Sequence, residues 1–193
     1  MADPQRNERR LDQERDTLLA ALGVGREKAQ QAERQNSWHV TCLYDRKDAA
    51  LWRELQQHLD LLKCQSSTII SWHTHTMLWM SDPQVADPIR KDIHRASIVL
   101  LGLSIDFLSS LYGEARNVYA MLVQRAGEQS RPVSILPIRL RPVLWEDVNL
   151  HTCAMVPGNK AIGERKHRDS AYIEVVQAVQ AVIEASKEKG AHS

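Results

Sequence analysis

His73 and His75, on either side of Thr74, are the closest the sequence comes to a metal-binding pair. A zinc site needs four donors, or three and a water. No third or fourth ligand stands at a matching spacing, so the pair reads as two loop histidines and no metal is expected. Cys42, Cys64 and Cys153 are odd in number and far apart, with no CxxC pair. That pattern suits a reducing compartment. Tyr44-Asp45-Arg46-Lys47-Asp48 closes the first apolar run and contains no glycine. This excludes a dinucleotide-binding turn and a phosphate-cradling loop, both of which need glycine there. Leu101-Gly102-Leu103-Ser104 ends the most apolar run without an aspartate, so a phosphoacceptor site is excluded. A G-x-S-x-G nucleophile turn is absent as well. Both of these apolar runs stop at polar sequence, the first at Asp45-Arg46-Lys47-Asp48 and the second at Ser104.

Those runs define the elements. Ile98 to Leu103 is short, branched and almost wholly apolar, the pattern of a strand buried on both faces of a parallel sheet. Ser104 stops it, and Ile105-Asp106-Phe107 opens a helix. In open α/β sheets, sites lie at the carboxyl ends of such strands. Upstream, 39–44 is a strand, and Asp48 is placed to cap a helix with Leu51, Leu55, Leu59 and Leu62 on one face. Residues 68–72 form a second strand, followed by an irregular connection from His73 to Pro83. A short helix carries Val85, Ile89 and Ile93, with Pro88 in its first turn. Downstream come a helix over 107–125, a strand over 133–138, a short fifth strand over 160–162 and a helix over 169–185. Ile173, Val176, Val179, Val182 and Ile183 are expected on the inner face of that last helix. The alternation predicts an α/β, flavodoxin-like, five-stranded parallel sheet of order 2-1-3-4-5 with helices on both faces.

The sheet accounts for residues 38–186. Residues 1–37 read as a helical N-terminal extension or linker, with Leu11, Leu18 and Leu22 at helical spacing among mixed charges. Such a segment is either a partly solvated helix or a short coiled-coil or partner-docking helix. Residues 187–193 read as a disordered tail. The 193 residues are 43% hydrophobic and 25% charged, a globular composition with a formal net charge of +1. No charge excess draws the chain to nucleic acid or a membrane surface. No apolar run approaches the roughly 20 residues of a bilayer span, and the polar start lacks a signal-peptide core. A cytoplasmic protein is expected.

In order along the chain, several stretches resemble bacterial TIR (Toll/interleukin-1 receptor) domains. Val40 to Asp48 resembles the family's first strand and loop, and Trp72-His73 the start of its BB loop. Ala96 to Tyr112 is similar, without a gap, to the family's A-D-I-I-L-L-L-V-S-P-D-F-L-A-S-D-Y segment. Pro137 to Trp145, Val156-Pro157 and Asp169 to Tyr172 resemble its P-I-x-L-R-P-x-x-W, L-P and R-D-x-A-Y positions. The resemblance spans about 38–185.

The resemblance implies two activities: self-association as a signalling scaffold, and cleavage of NAD+ at the nicotinamide–ribose bond. NAD+ is then a substrate, and no permanently bound cofactor is expected. Cleavage builds positive charge on the ribose, which a nearby carboxylate stabilises. The family places a glutamate four or five residues beyond the motif's tyrosine, but those positions here are Arg116 and Asn117. The nearest acid is Glu114, three residues before Asn117 and about 4.5 Å earlier along a helix axis. It is either the catalytic carboxylate, shifted one turn where Gly113 breaks the pattern, or an ordinary acid near a helix start. Tyr44, Asp45, Arg46, Trp72 and Ser104 would line the substrate cleft. The BB-loop segment departs too, carrying Met77-Leu78-Trp79-Met80. That run either folds back on its own domain or docks on a second protomer. An NAD+-consuming enzyme and a non-enzymatic assembly module both remain open.

Overall fold

The structure is a computed structural model that describes residues 37–65, 69–77, 83–113, 115–129, 132–145, 150 and 153–191. The chain divides into two units, Met1–Ser37 and Trp38–Ser193. The helix expected in the first unit lies outside the described residues.

The second unit is an α/β sheet protein. Strands β1 (Ser37–Tyr44), β2 (Ile69–Thr76), β3 (Ile98–Leu103) and β4 (Ser134–Arg139) form one sheet of order β2-β1-β3-β4. β1 and β4 flank β3 in parallel, with Val40 opposite Ile98 and Ile98 opposite Ser134. All six residues of β3 are buried, as its unbroken apolar sequence requires. Helices α1 (Ala49–Gln65), α2 (Pro83–Arg95), α3 (Ile105–Tyr112), α4 (Arg116–Ala126) and α5 (Asp169–Ala191) cover the two faces.

Strand alternation sorts the core into two layers. Val40, Cys42, Ile98, Leu100, Leu136 and Ile138 point toward α1 and α5, where Leu51, Leu55, Leu59 and Leu62 meet Tyr172, Val175 and Val179. Leu43, Val99, Leu101 and Ile135 point the other way, onto Ile89 and Ile93 of α2, Phe107 and Leu111 of α3, and Val118 and Leu122 of α4. Each such side chain taken fully from water contributes roughly 1.5–3 kcal/mol before entropy is charged against it.

Six expectations need correction. Among the described residues the sheet has four strands: residues 162–164 form a 3₁₀ turn (Ile162–Glu164), and only an isolated bridge between Ile138 and Val156 extends the edge beyond β4 there. β2 runs on through His73 to Thr76, residues expected in a loop, because β-branched Thr74 and Thr76 continue a period-2 pattern. Pro88 lies inside α2, whose first residue is Pro83. The helix expected over 107–125 is two helices parted at Gly113, where a Cβ would stand 2.6 Å from the Ser109 carbonyl oxygen. Ile173 is 49% exposed, since the buried stripe of α5 passes through Tyr172, Val175, Val179 and Ile183 instead. The last helix also continues to Ala191, into the stretch assigned to the tail.

Candidate active site

The carboxyl ends of β1 and β3 open into a cleft of about 550 Å³ lined by Asp45, Arg46, Lys47, Asp106, Ser109 and Ser110. One wall is the 3₁₀ turn Arg46–Asp48 that follows β1. Asp45 builds it: Oδ1 accepts from the Lys47 N–H at 2.9 Å, and the Asp45 carbonyl accepts from the Asp48 N–H at 2.9 Å. Short polar side chains favour such turns by bonding the backbone just ahead of them. The other wall is the first two turns of α3. Ser104 starts that helix, its Oγ accepting from the Phe107 N–H at 3.1 Å.

The walls are tied together by charge. Lys47 Nζ pairs with Asp106, and the hydrogen bond to that carboxylate holds the ammonium pKa above its ordinary value. Ser110 Oγ donates to Asp45 Oδ2 at 3.2 Å. The Arg46 side chain is exposed and forms no hydrogen bond or ion pair among the described residues, which leaves its guanidinium open to an anionic ligand.

Beneath the cleft lies Asp48, fully buried. Ser104 Oγ donates to its Oδ2, and Arg141 Nε stands 2.6 Å from its Oδ1. That second contact is a charge pair whose N–H is not aimed along the oxygen, since Oδ1 has no well-aligned hydrogen bond. Burial pushes the Asp48 carboxyl above the usual carboxylate range, against the opposing pull of Ser104 and Arg141. Asp48 therefore braces the floor of the cleft and does not cap α1 as its position in the sequence promised.

The expected substrate-binding residues separate on this frame. Asp45 and Arg46 line the cleft. Ser104 is at the right place but fully buried, with its hydroxyl used by Asp48 and Phe107. Tyr44 is half-buried and stacked on Trp52, ring centroids 4.9 Å apart and planes 6° off parallel. Its hydroxyl pKa is raised, chiefly by burial. Trp72 sits in the middle of β2 and packs against the α1 and α5 layer, away from the strand ends. Glu114 lies outside the described residues. Of the 77–80 run, Met77 is 5% exposed in its own domain's core, its N–H bonded to the Tyr44 carbonyl at 3.0 Å. Leu78, Trp79 and Met80 lie outside the described residues.

Sequence reasoning missed Lys47, Asp106, Ser109 and Ser110 as cleft residues. Asp106, Ser109 and Ser110 recur at i, i+3 and i+4 from a helix start, a polar stripe that the sequence carries beside the apolar one. His73 and His75 face α2, where Asp92 Oδ2 lies 3.4 Å from His73 Nδ1 and 2.8 Å from His75 Nε2. Among the described residues no group of three His, Cys, Asp or Glu is arranged to hold a metal ion. A second hollow, about 460 Å³, lies between α2 and α4 beside Arg90, Lys91 and His94, near the start of β3. Among the described residues no helix is long and apolar enough to cross a membrane.

Compared with known proteins, the chain matches no family model and no curated protein.

Proposed function

We propose that residues 38–186 are a TIR-like domain with a flavodoxin-like sheet that lacks a regular fifth strand, and that it binds and cleaves NAD+ in the cleft at the ends of β1 and β3. The observation that carries this reading is the placement of the Ala96 to Tyr112 motif. Its strand and helix supply one wall of the cleft, and the helix leads directly to Glu114. Arg46 attracts the pyrophosphate. The hydroxyls of Ser109 and Ser110 offer polar contacts to a ribose. The two carboxylates that line the cleft, Asp45 and Asp106, already have partners, which leaves Glu114 to hold the positive charge that grows as nicotinamide departs. The domain self-associates, with Leu78 to Met80 as the docking segment.

The second reading, an assembly module without catalysis, is favoured by the state of the usual glutamate positions. Arg116 Nε donates to the Tyr112 carbonyl at 2.8 Å, and Asn117 Oδ1 accepts from the Val118 N–H at 2.9 Å. Both side chains serve the junction of α3 and α4. The test is nicotinamide release from NAD+ by the full chain at high protein concentration, in the parent and in Glu114→Gln. The amide keeps size and hydrogen bonding but removes the charge, so the rate should fall by about 100-fold or more. Retained activity in Glu114→Gln would sink that residue's role. An inactive, assembled parent protein would leave the assembly module standing.

A further inference from the structure

We propose that Arg141, in the loop after β4 and outside the lining of the cleft, is the positioning residue that sets the shape of the cleft's first wall. Its side chain is 43% exposed, so its bulk is not core packing. Its guanidinium end reaches two groups of the 3₁₀ turn at once: Nε meets the buried Asp48 carboxylate at 2.6 Å, and Nη2 donates to the Lys47 carbonyl at 2.8 Å. Asp45, Arg46 and Lys47, which line the cleft, belong to this same four-residue unit.

The anchor of the clamp is fixed from behind. The N–H groups of Leu140 and Arg141 both donate to the Leu103 carbonyl, at 3.1 and 3.2 Å, which ties the β4 loop to the end of β3. The Gly163 N–H donates to the Leu140 carbonyl at 2.8 Å, and a Cβ on Gly163 would lie 3.1 Å from that oxygen and 3.8 Å from Arg141 Cγ. The 162–164 turn thus holds the Leu140 carbonyl, one residue before Arg141, in place. Contacts at 140–141, 103–104 and 47–48 therefore join the loops at the ends of β4, β3 and β1. A forked, planar cation can bridge a carboxylate and a carbonyl together, whereas an ammonium meets one or the other. Asp48 supplies the reason for a cation at this place: a buried carboxylate without a counter-charge is strongly unfavourable.

The clamp is tested by amide hydrogen exchange on the full chain, which does not depend on any catalytic activity. In Arg141→Lys, the Lys47 and Asp48 amides should exchange about tenfold faster, the scale of one lost charge-assisted bond. Amides of Ile98–Leu103 should keep their parent rates. In Arg141→Met, stability should fall as well, because Asp48 loses its counter-charge. Adding Asp48→Asn should then restore the melting temperature while exchange at 47–48 stays fast, since the Lys47 carbonyl still lacks its donor. Parent exchange rates at Lys47 and Asp48 in both Arg141 variants would overturn the proposal. So would a rise shared in proportion by β3, which marks general loosening. The consequence for NAD+ rests on the function proposed above: Arg141→Lys should raise KM about tenfold through a misplaced Arg46, with kcat nearly unchanged. A parent protein inactive on NAD+ defeats that function but leaves the exchange result to decide the clamp.

Discussion

Gly102→Ala probes a close approach in the sheet, at the point where β3 delivers the chain to the cleft. Gly102 pairs with Tyr44 across the β1–β3 ladder. An added Cβ would lie 2.9 Å from Tyr44 Cβ, 2.7 Å from Leu140 Cδ1 and 3.4 Å from the Trp52 ring. The Leu140 methyl can swing away only by disturbing its packed neighbours, because Leu140 is fully buried. Tyr44 cannot, because its Cβ moves only with the β1 backbone and its ring already lies flat on Trp52. One methyl forced into such a site costs about 1–3 kcal/mol. For a domain of this size each kcal/mol lowers the melting temperature by about 2–4 °C, so a fall of about 2–12 °C is expected by calorimetry or circular dichroism. The clash also predicts a pairing. Removing the Leu140 methyls in Gly102→Ala/Leu140→Ala should cost less than the two single changes added together, with a coupling of at least about 0.5 kcal/mol. A melting temperature within a degree of the parent would refute the close packing of β1 on β3. Strict additivity in the cycle would refute the contact with Leu140.

Glu54 joins α1 to α5, accepting from Tyr172 Oη at 2.6 Å and from Arg168 Nη1 at 3.2 Å, and the Tyr172 bond is the main cause holding its carboxyl below the usual range. A lowered native value means the stabilisation is complete above the unfolded value near about pH 4.3 and fades as pH falls through the native one. Glu54→Gln should therefore flatten the acid side of the stability–pH curve and cost at most about 1 kcal/mol at neutral pH, because the carboxylate is half exposed and screened. An unchanged acid limb would show that the tie is not proton-linked. Met77 and Trp79 should separate in their effects. Met77→Ala should lose about 2–5 kcal/mol in a melt, as for other buried methionines. Trp79→Ala should weaken self-association in sedimentation and leave the melt alone, and a large fall in its melting temperature at constant oligomer size would put Trp79 in the core.

What could be seen in the sequence follows what burial dictates. β3 was legible to the residue because a strand covered on both faces must be apolar throughout, and the leucine stripe of α1 because one helix face must be. Where polar residues make the structure, the same reasoning gave out. Nothing near His73 and His75 in the sequence announces Asp92, which comes from a later helix, so a strand with polar side chains on one face looked like a loop. The edge past β4 failed for a related reason. Val156 offers one bridge, while Ala161 and Ile162, apolar enough to suggest a strand, are buried where the chain curls into the 162–164 turn against Leu140.

The cleft shows the same division at the level of the site. Tyr44, Trp72 and Ser104 are residues of types that bind ligands, yet each is occupied by the fold: a ring stacked on Trp52, an indole under α1 and α5, a hydroxyl shared by Asp48 and Phe107. The groups that do face the cleft are charged or hydroxylic and could be solvated surface in any protein. What singles them out is the cost hidden beneath them. A fully buried Asp48 is tolerated only because Ser104 and Arg141 compensate it, and those two come from the loops after β3 and β4. Packing alone would favour an apolar side chain at that place. A carboxylate there gives up stability to lock three strand ends in one arrangement, and the surface so fixed is the one carrying Asp45, Arg46 and Lys47.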